Sequence, residues 1–125
     1  MKKLLYVEDD KAYLKRIARH IREKYPQIEP ITCQDSLDAL PYINQSLDLL
    51  ILYLEMPLID GKKLLNYAIN RGLDRKKIII ISSRDANYLH EIIPMGECLC
   101  VLNKNEIRQM EVLEMILASI DQKVA

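Results

Sequence analysis

Four short groups of polar residues each follow an apolar run, and their side chains could together hold a phosphate. Carboxylates can bind a hard cation through oxygen, while a hydroxyl and an ammonium can bind phosphate oxygens. Taken singly, each group has a plainer explanation, because acids before a helix are usually caps and a serine after a strand is usually a turn residue. The groups are Glu8–Asp10, Tyr53 with Glu55, Ser82 with Ser83, and Asn103 with Lys104.

Five apolar runs are predicted to be the strands that position these groups. Except for the weaker second run, Glu29–Cys33, the runs are continuous rather than alternating, which is typical of strands buried on both faces of a sheet. The polar groups then fall at the carboxyl ends of the first, third, fourth and fifth strands. The predicted strands are Lys3–Val7, Glu29–Cys33, Leu47–Leu52, Lys77–Ile81 and Cys98–Leu102.

Amphipathic stretches alternate with the strands and predict five helices. Asp10 is predicted to cap the first helix, and Asp35 or Ser36 the second. Gly72 and Pro94 mark the ends of the third and fourth helices. The residues predicted to face the core are Leu14, Ile17, Ala18 and Ile21; Leu37, Leu40 and Ile43; Leu64, Leu65, Ala68 and Ile69; Leu89, Ile92 and Ile93; and Ile107, Met110, Leu113, Ile116, Leu117 and Ile120.

This alternation predicts an α/β fold with a parallel five-stranded sheet covered by helices on both faces. Right-handed crossovers leave few topologies, and one of them is the flavodoxin-like, doubly wound order 2-1-3-4-5. In such a sheet, functional groups collect at the carboxyl ends of the strands, beside the switch point between strands 1 and 3. Residues 1–125 are expected to form a single domain, since the length suits one core.

Composition and charge argue against several functional classes. The 125 residues include 18 basic and 18 acidic side chains, so a formal charge of zero gives no electrostatic basis for direct nucleic-acid binding. The apolar run in MKKLLYVEDD is too short for a signal peptide or a membrane span, which favours a cytoplasmic protein without a membrane partner. Cys33, Cys98 and Cys100 lack CxxC spacing and are expected to be free, buried thiols.

Four segments resemble, in their order and separation, the receiver domains of bacterial response regulators. The segments are YVEDD, DLLILYLEMPLIDG, IIIISS and VLNK, and the resemblance covers essentially the whole chain. The family's third strand carries an aspartate, four mostly apolar residues, the phosphate-accepting aspartate, and then Met-Pro and Asp-Gly at fixed spacings. From Asp48 to Gly61 this sequence matches that pattern, except that Tyr53 stands at the acceptor position.

The resemblance implies roles for other site residues. Glu8 and Asp9 fall on the acidic pair that binds Mg²⁺ in the family, and Ser82 falls on the hydroxyl that contacts the phosphoryl group. The family's lysine falls on Asn103 by direct counting, or on Lys104 if the preceding loop has gained one residue. The aromatic residue that the family carries on its fifth strand is missing here.

Tyr53 changes the chemistry that the resemblance implies. A phenol is neutral and replaces one of three metal-binding carboxylates, and its ring reaches further than an aspartate, so an aspartyl-phosphate site would be misaligned. We therefore expect no bound cofactor and at most weak Mg²⁺ binding, with Glu55 as the candidate replacement ligand. The plainer interpretation is that the ring plugs the pocket, with its hydroxyl bonded to Asp9 or Lys104.

The favoured functional hypothesis is a pseudo-receiver in bacterial two-component signalling, which is not an enzyme and binds its partner without phosphorylation. That partner would be a histidine kinase or an output protein. It would dock on helix 1 or on the face formed by helix 4, strand 5 and helix 5, which could also form a homodimer.

Three alternatives stay open. The first is a working phosphorelay receiver, and the second is the regulatory half of a DNA-binding response regulator. The third is a flavin- or nucleotide-binding enzyme on the same fold. It would need a phosphate-binding loop after the first strand, where this sequence has Glu-Asp-Asp-Lys, and the sequence contains no GxGxxG or P-loop motif.

Overall fold

The computed structural model describes residues 1–123 and contains one parallel sheet. The strand order is β2-β1-β3-β4-β5, which confirms the predicted doubly wound topology. This order places the switch point between β1 and β3. The strands are β1 (Lys2–Val7), β2 (Ile28–Cys33), β3 (Leu49–Tyr53), β4 (Ile78–Ser82) and β5 (Cys100–Asn103).

In the described part of the chain, residues 1–123, five helices follow the five strands, and two short 3₁₀ turns lie at Leu40–Tyr42 and Arg75–Lys77. An aspartate caps each of the first four helices by accepting a backbone N–H. The capping aspartates are Asp10, Asp35, Asp60 and Asp85. The helices are α1 (Lys11–Lys24), α2 (Ser36–Ala39), α3 (Gly61–Asn70), α4 (Ala86–Ile92) and α5 (Ile107–Gln122).

The core has two layers because successive residues of each strand point to opposite faces of the sheet. On β1, Leu5 and Val7 pack with apolar residues of α2, α3 and α4. Leu4 and Tyr6 pack on the other face with residues of α1 and α5. The sheet is therefore buried on both faces, as its continuous apolar strands predicted.

Strands β3, β4 and β5 each continue one residue further than predicted, so their last residues are polar. Tyr53 pairs with Ile81, and Ser82 pairs with Asn103. Ladder hydrogen bonds use the backbone, so a polar side chain does not end a strand. This extension carries Tyr53 and Ser82 to the edge where the polar groups meet.

Two residues predicted to face the core are exposed instead. Leu37 is 51% exposed, because the short α2 turns Ser36 and Ala39 inward, and the Ser36 hydroxyl donates a 2.6 Å hydrogen bond to the Ile59 carbonyl. Ile107 is 80% exposed, since it is the first residue of α5 and the fully buried residues of that helix begin only at Leu113.

Gly61 holds the loop after β3 close to the strand end. A Cβ at this position would lie 2.8 Å from the Leu54 Cα and 2.9 Å from the Tyr53 carbonyl oxygen. The Gly61 N–H also donates to the Leu54 carbonyl at 2.9 Å. Any side chain here would push the loop, and Glu55 within it, away from β3.

The cysteines are free thiols, of which Cys33 is buried and the other two are half-buried. Burial raises the pKa of Cys98 to about 11, so this side chain stays protonated and unreactive at neutral pH. Within residues 1–123, no helix is long and apolar enough to cross a membrane.

Candidate functional site

The structure brings Glu8, Tyr53, Glu55, Ser82 and Lys104 to the carboxyl edge of the sheet. Glu8 directly follows β1, Tyr53 ends β3, and Ser82 ends β4. Hydrogen bonds join these residues in two separate groups, one around Lys104 and one around Glu55. The polar side chains of the site therefore form hydrogen bonds with one another.

Glu8 and Lys104 form a buried ion pair. The Lys104 ammonium donates to the Glu8 carboxylate, whose side chain is only 1% exposed. The Asp10 N–H donates to the second carboxylate oxygen at 3.3 Å. Burial raises the pKa of Glu8, while the hydrogen bond from Lys104 acts to lower it. Lys104 is therefore the main group that favours the charged form of Glu8, with a smaller contribution from the Asp10 N–H.

Two tyrosine rings enclose the Lys104 ammonium. Its nitrogen lies 4.1 Å from the ring centre of Tyr13 and 4.9 Å from that of Tyr53, which are cation–π distances. The Tyr13 hydroxyl shares a 2.9 Å hydrogen bond with Tyr6, and burial raises the pKa of both phenols. Both phenols are therefore neutral, and the Tyr13 ring contacts the lysine from the α1 side.

Glu55 binds the groups at the end of β4. The fully buried Ser82 hydroxyl lies 2.8 and 2.9 Å from the two Glu55 carboxylate oxygens, and the Ser83 N–H donates to the carboxylate at 3.0 Å. The Ser82 oxygen also accepts the Arg84 N–H at 3.0 Å. The anion-binding donors of this edge are thus already occupied by a carboxylate of the same chain.

Tyr53 contacts different partners from those that the sequence suggested. Its hydroxyl lies 3.3 Å from the Ser83 hydroxyl, a long contact, rather than on Asp9 or Lys104. Lys104 faces the ring and not the hydroxyl. The ring itself packs against apolar residues on both faces of the sheet. Tyr53 is therefore held mainly by its ring. The residue lies between the group of contacts around Lys104 and the group around Glu55.

Lys104, rather than Asn103, supplies the ammonium of the site. Asn103 is the last residue of β5, where it pairs with Ser82, and its side chain bonds to the Arg84 carbonyl at 3.3 Å and the Asn105 N–H at 2.8 Å. The Lys104 N–H donates to the Ser82 carbonyl at 2.9 Å, so its side chain starts one residue beyond the strand. Of the two candidates for the lysine position, Lys104 is the one whose side chain reaches Glu8.

The carboxylates are not gathered as a metal site requires. Asp9 is exposed, Glu8 is bound to Lys104, and Glu55 is bound to Ser82 and Ser83. Among residues 1–123, no three His, Cys, Asp or Glu side chains are arranged to hold a metal ion. In this arrangement the donor set does not fit Mg²⁺, because Glu8 and Glu55 each already have a partner.

Tyr6 and Tyr13 belong to the site, although the sequence did not single them out. Two signals could have identified them. Tyr6 precedes Glu8 by two residues and so shares its side of the chain, and Tyr13 is the third residue after the capping Asp10. Both are apolar enough to be taken for ordinary core residues.

The fold is that of response-regulator receiver domains. The chain is similar to the receiver domain of Francisella response regulator 1452, at 23% identity over 98% of each chain with a TM-score of 0.71. It is similar to Vibrio cholerae chemotaxis protein CheY4, at 18% identity over 96% of this chain and 98% of that one with a TM-score of 0.77.

A third similar structure is Thermotoga maritima response regulator TrrA, which was solved in complex with Mg²⁺ and BeF. It shares 21% identity over 96% of this chain and 99% of that chain, with a TM-score of 0.75. No family model and no curated protein matches the chain. Likeness at these identities establishes the fold, and the chemistry follows from the chain's own residues.

Proposed function

We propose that residues 1–125 form one receiver-like domain that serves two-component signalling as a phosphorylation-independent protein-interaction module, without enzymatic activity. The observation that carries this proposal is the contact of Glu55 with Ser82 and Ser83. A phosphoryl group bound at the end of β4 would need these same donors. It would therefore have to displace a carboxylate that is already paired.

Two further features of the site support the proposal. Tyr53 presents a ring at the end of β3, so no carboxylate stands at the position where the resemblance expects the phosphate acceptor. The Lys104 ammonium is neutralised by the buried Glu8. Acceptor, hydroxyl and lysine are thus each replaced or occupied, and the site needs no phosphate to balance its charges.

The partner would be a cytoplasmic protein, either a histidine kinase or an output protein. Its candidate docking face is formed by α4, β5 and α5, and in the loop between α4 and β5 Leu99 is 42% exposed and Met95 is 93% exposed. Cys100 and Val101 of β5 line a cavity of about 660 Å³ that lies between the two helices. The same face could instead bind a second copy of this chain and form a homodimer.

The proposal predicts that the chain takes no phosphate from a small phosphodonor. After incubation with acetyl phosphate and Mg²⁺, the intact mass of the wild-type chain should be unchanged, because Tyr53 is misaligned and Glu55 occupies the anion-binding donors. The double variant Tyr53→Asp/Glu55→Ala serves as the matched control. It restores a carboxylate and frees Ser82, so it should gain one phosphate.

A stable one-phosphate adduct on the wild-type chain would contradict the proposal. Peptide mapping of that adduct to Tyr53 would indicate regulation by tyrosine phosphorylation. Mapping to Asp9 or another carboxylate would favour a working phosphorelay receiver instead.

A further inference from the structure

A second cavity lies at the opposite, amino-terminal end of the sheet. Its volume is about 560 Å³, which is within the range of about 300–1,000 Å³ typical of small-molecule sites. The starts of β1 and β3, the 3₁₀ turn before β4, and α5 surround it. It shares none of its lining with the polar site at the carboxyl end.

The cavity carries an unbalanced positive charge. Lys2, Lys76, Lys77 and Lys123 line it together with one acid, Asp48, which gives a formal charge of +3. Within residues 1–123, none of these four lysines lies within 4 Å of a carboxylate oxygen, and the Lys2 ammonium donates only to the Lys123 carbonyl at 2.5 Å. The chain as a whole is neutral, so this local excess attracts an anion.

The remaining lining of the cavity is apolar. Leu49 and Ile120 are buried in its floor, while Leu99, Val112 and Met115 are exposed at its rim, at 42%, 39% and 71%. Exposed apolar side chains beside several cations favour a ligand with an apolar body and an anionic head. An inorganic anion alone would leave the rim uncovered.

We propose that this cavity binds a small amphipathic anion, with its carboxylate or phosphate head among the lysines and its apolar body against α5. The inference does not rest on the proposed signalling role, although Leu99 lines this cavity as well as the one between α4 and α5. The larger cavity between α4 and α5 supports no such choice of ligand, because its polar lining mixes both signs, with Arg84, Asp85, His90 and Glu106.

The test is titration of the wild-type chain with dodecanoate below its micelle concentration, followed by amide NMR. The expected result is saturable binding at one site, with shifts at Lys2, Lys77, Leu99 and Met115. Acetate, which lacks the apolar body, and dodecyltrimethylammonium, which carries the opposite charge, should cause no such shifts at the same concentration.

A pair of matched variants tests the role of the lysines. Lys76→Gln/Lys77→Gln should weaken dodecanoate binding roughly three- to tenfold, because two positive charges of the lining are lost. Lys62→Gln/Lys63→Gln makes the same charge change on α3, outside the cavity, and should leave the affinity unchanged. Both substitutions lie on the surface, so the variants should fold.

Three results would overturn the proposal. The first is the absence of saturable binding, and the second is an equal loss of affinity in both lysine pairs, which would indicate adventitious charge attraction. The third is binding only to phosphatidylglycerol–phosphatidylcholine vesicles and not to monomeric dodecanoate. That result would assign the lysines to a membrane surface rather than to a small ligand.

Discussion

The two ends of the sheet differ in how their charges are arranged. At the carboxyl end, the Lys104 side chain is 20% exposed, and its ammonium is paired with the Glu8 carboxylate, which is almost fully buried. At the amino end, four lysines share a cavity with one aspartate and form no ion pair among residues 1–123. The charges at the carboxyl end are paired within the chain, whereas the lysines at the amino end are available to bind an anion.

This difference shows that polar residues at the expected end of a doubly wound sheet need not leave room for a ligand. Functional groups in such folds collect at the carboxyl ends of the strands. Here the groups are present, but Glu55 and Glu8 occupy the donors that a phosphate would use. The end that carries free charge is the one without a recognisable motif.

The largest expected effect is the loss of the buried ion pair. Lys104→Met should destabilise the chain by about 3 kcal/mol, because it leaves the buried Glu8 carboxylate without a partner. Lys77→Met at the amino end is the matched control and should change the free energy of unfolding by no more than about 0.5 kcal/mol. Urea unfolding followed by circular dichroism measures both.

The effect of Lys104→Met should depend on pH. Burial raises the pKa of Glu8, and without Lys104 only the weaker hydrogen bond from the Asp10 N–H opposes this rise. A carboxyl whose pKa is raised by folding favours the native state at acidic pH and loses that contribution as the pH rises through its folded value. The destabilisation should therefore be smaller at acidic than at neutral pH. Equal costs for Lys104→Met and Lys77→Met would refute the contrast between the two ends.

A smaller effect is expected for the hydroxyl that binds Glu55. Ser82→Ala should cost about 2 kcal/mol, since it removes the hydrogen bond to the Glu55 carboxylate and the acceptor of the Arg84 N–H. Ser83→Ala keeps the backbone bond to Glu55 and loses only the long contact to Tyr53, so it should cost about 0.5 kcal/mol or less. Comparable losses for the two serines would mean that Glu55 is not firmly held at Ser82.

The fold could be predicted from the sequence because its signals are local. Every strand except β2 is formed largely by one apolar run, and aspartates cap the first four helices. The errors arose where tertiary contacts decide the outcome. Leu37 points outward because Ser36 turns inward to bond the Ile59 carbonyl, a partner that lies 23 residues away.

The sequence predicts which residues come together at the site, but not which of them form hydrogen bonds with each other. Glu8, Tyr53 and Ser82 follow strands, so topology alone brings them together. The bond from Ser82 to Glu55 depends on the loop that Gly61 holds against β3, and no sequence pattern specifies that geometry. The amino-end cavity was missed for a related reason, since its lysines lie at positions 2, 76, 77 and 123 and form no motif.

The central claim is that the donors at the end of β4 are permanently occupied within the chain, and amide NMR with a phosphoryl mimic tests it most directly. Beryllofluoride and Mg²⁺ added to the Tyr53→Asp variant, which supplies a carboxylate for beryllofluoride but keeps Glu55, should leave the amide resonances of Ser82, Ser83 and Arg84 unchanged, along with those of α4 and β5. Saturable shifts at these residues would show that a phosphoryl group can displace Glu55, and would contradict the account.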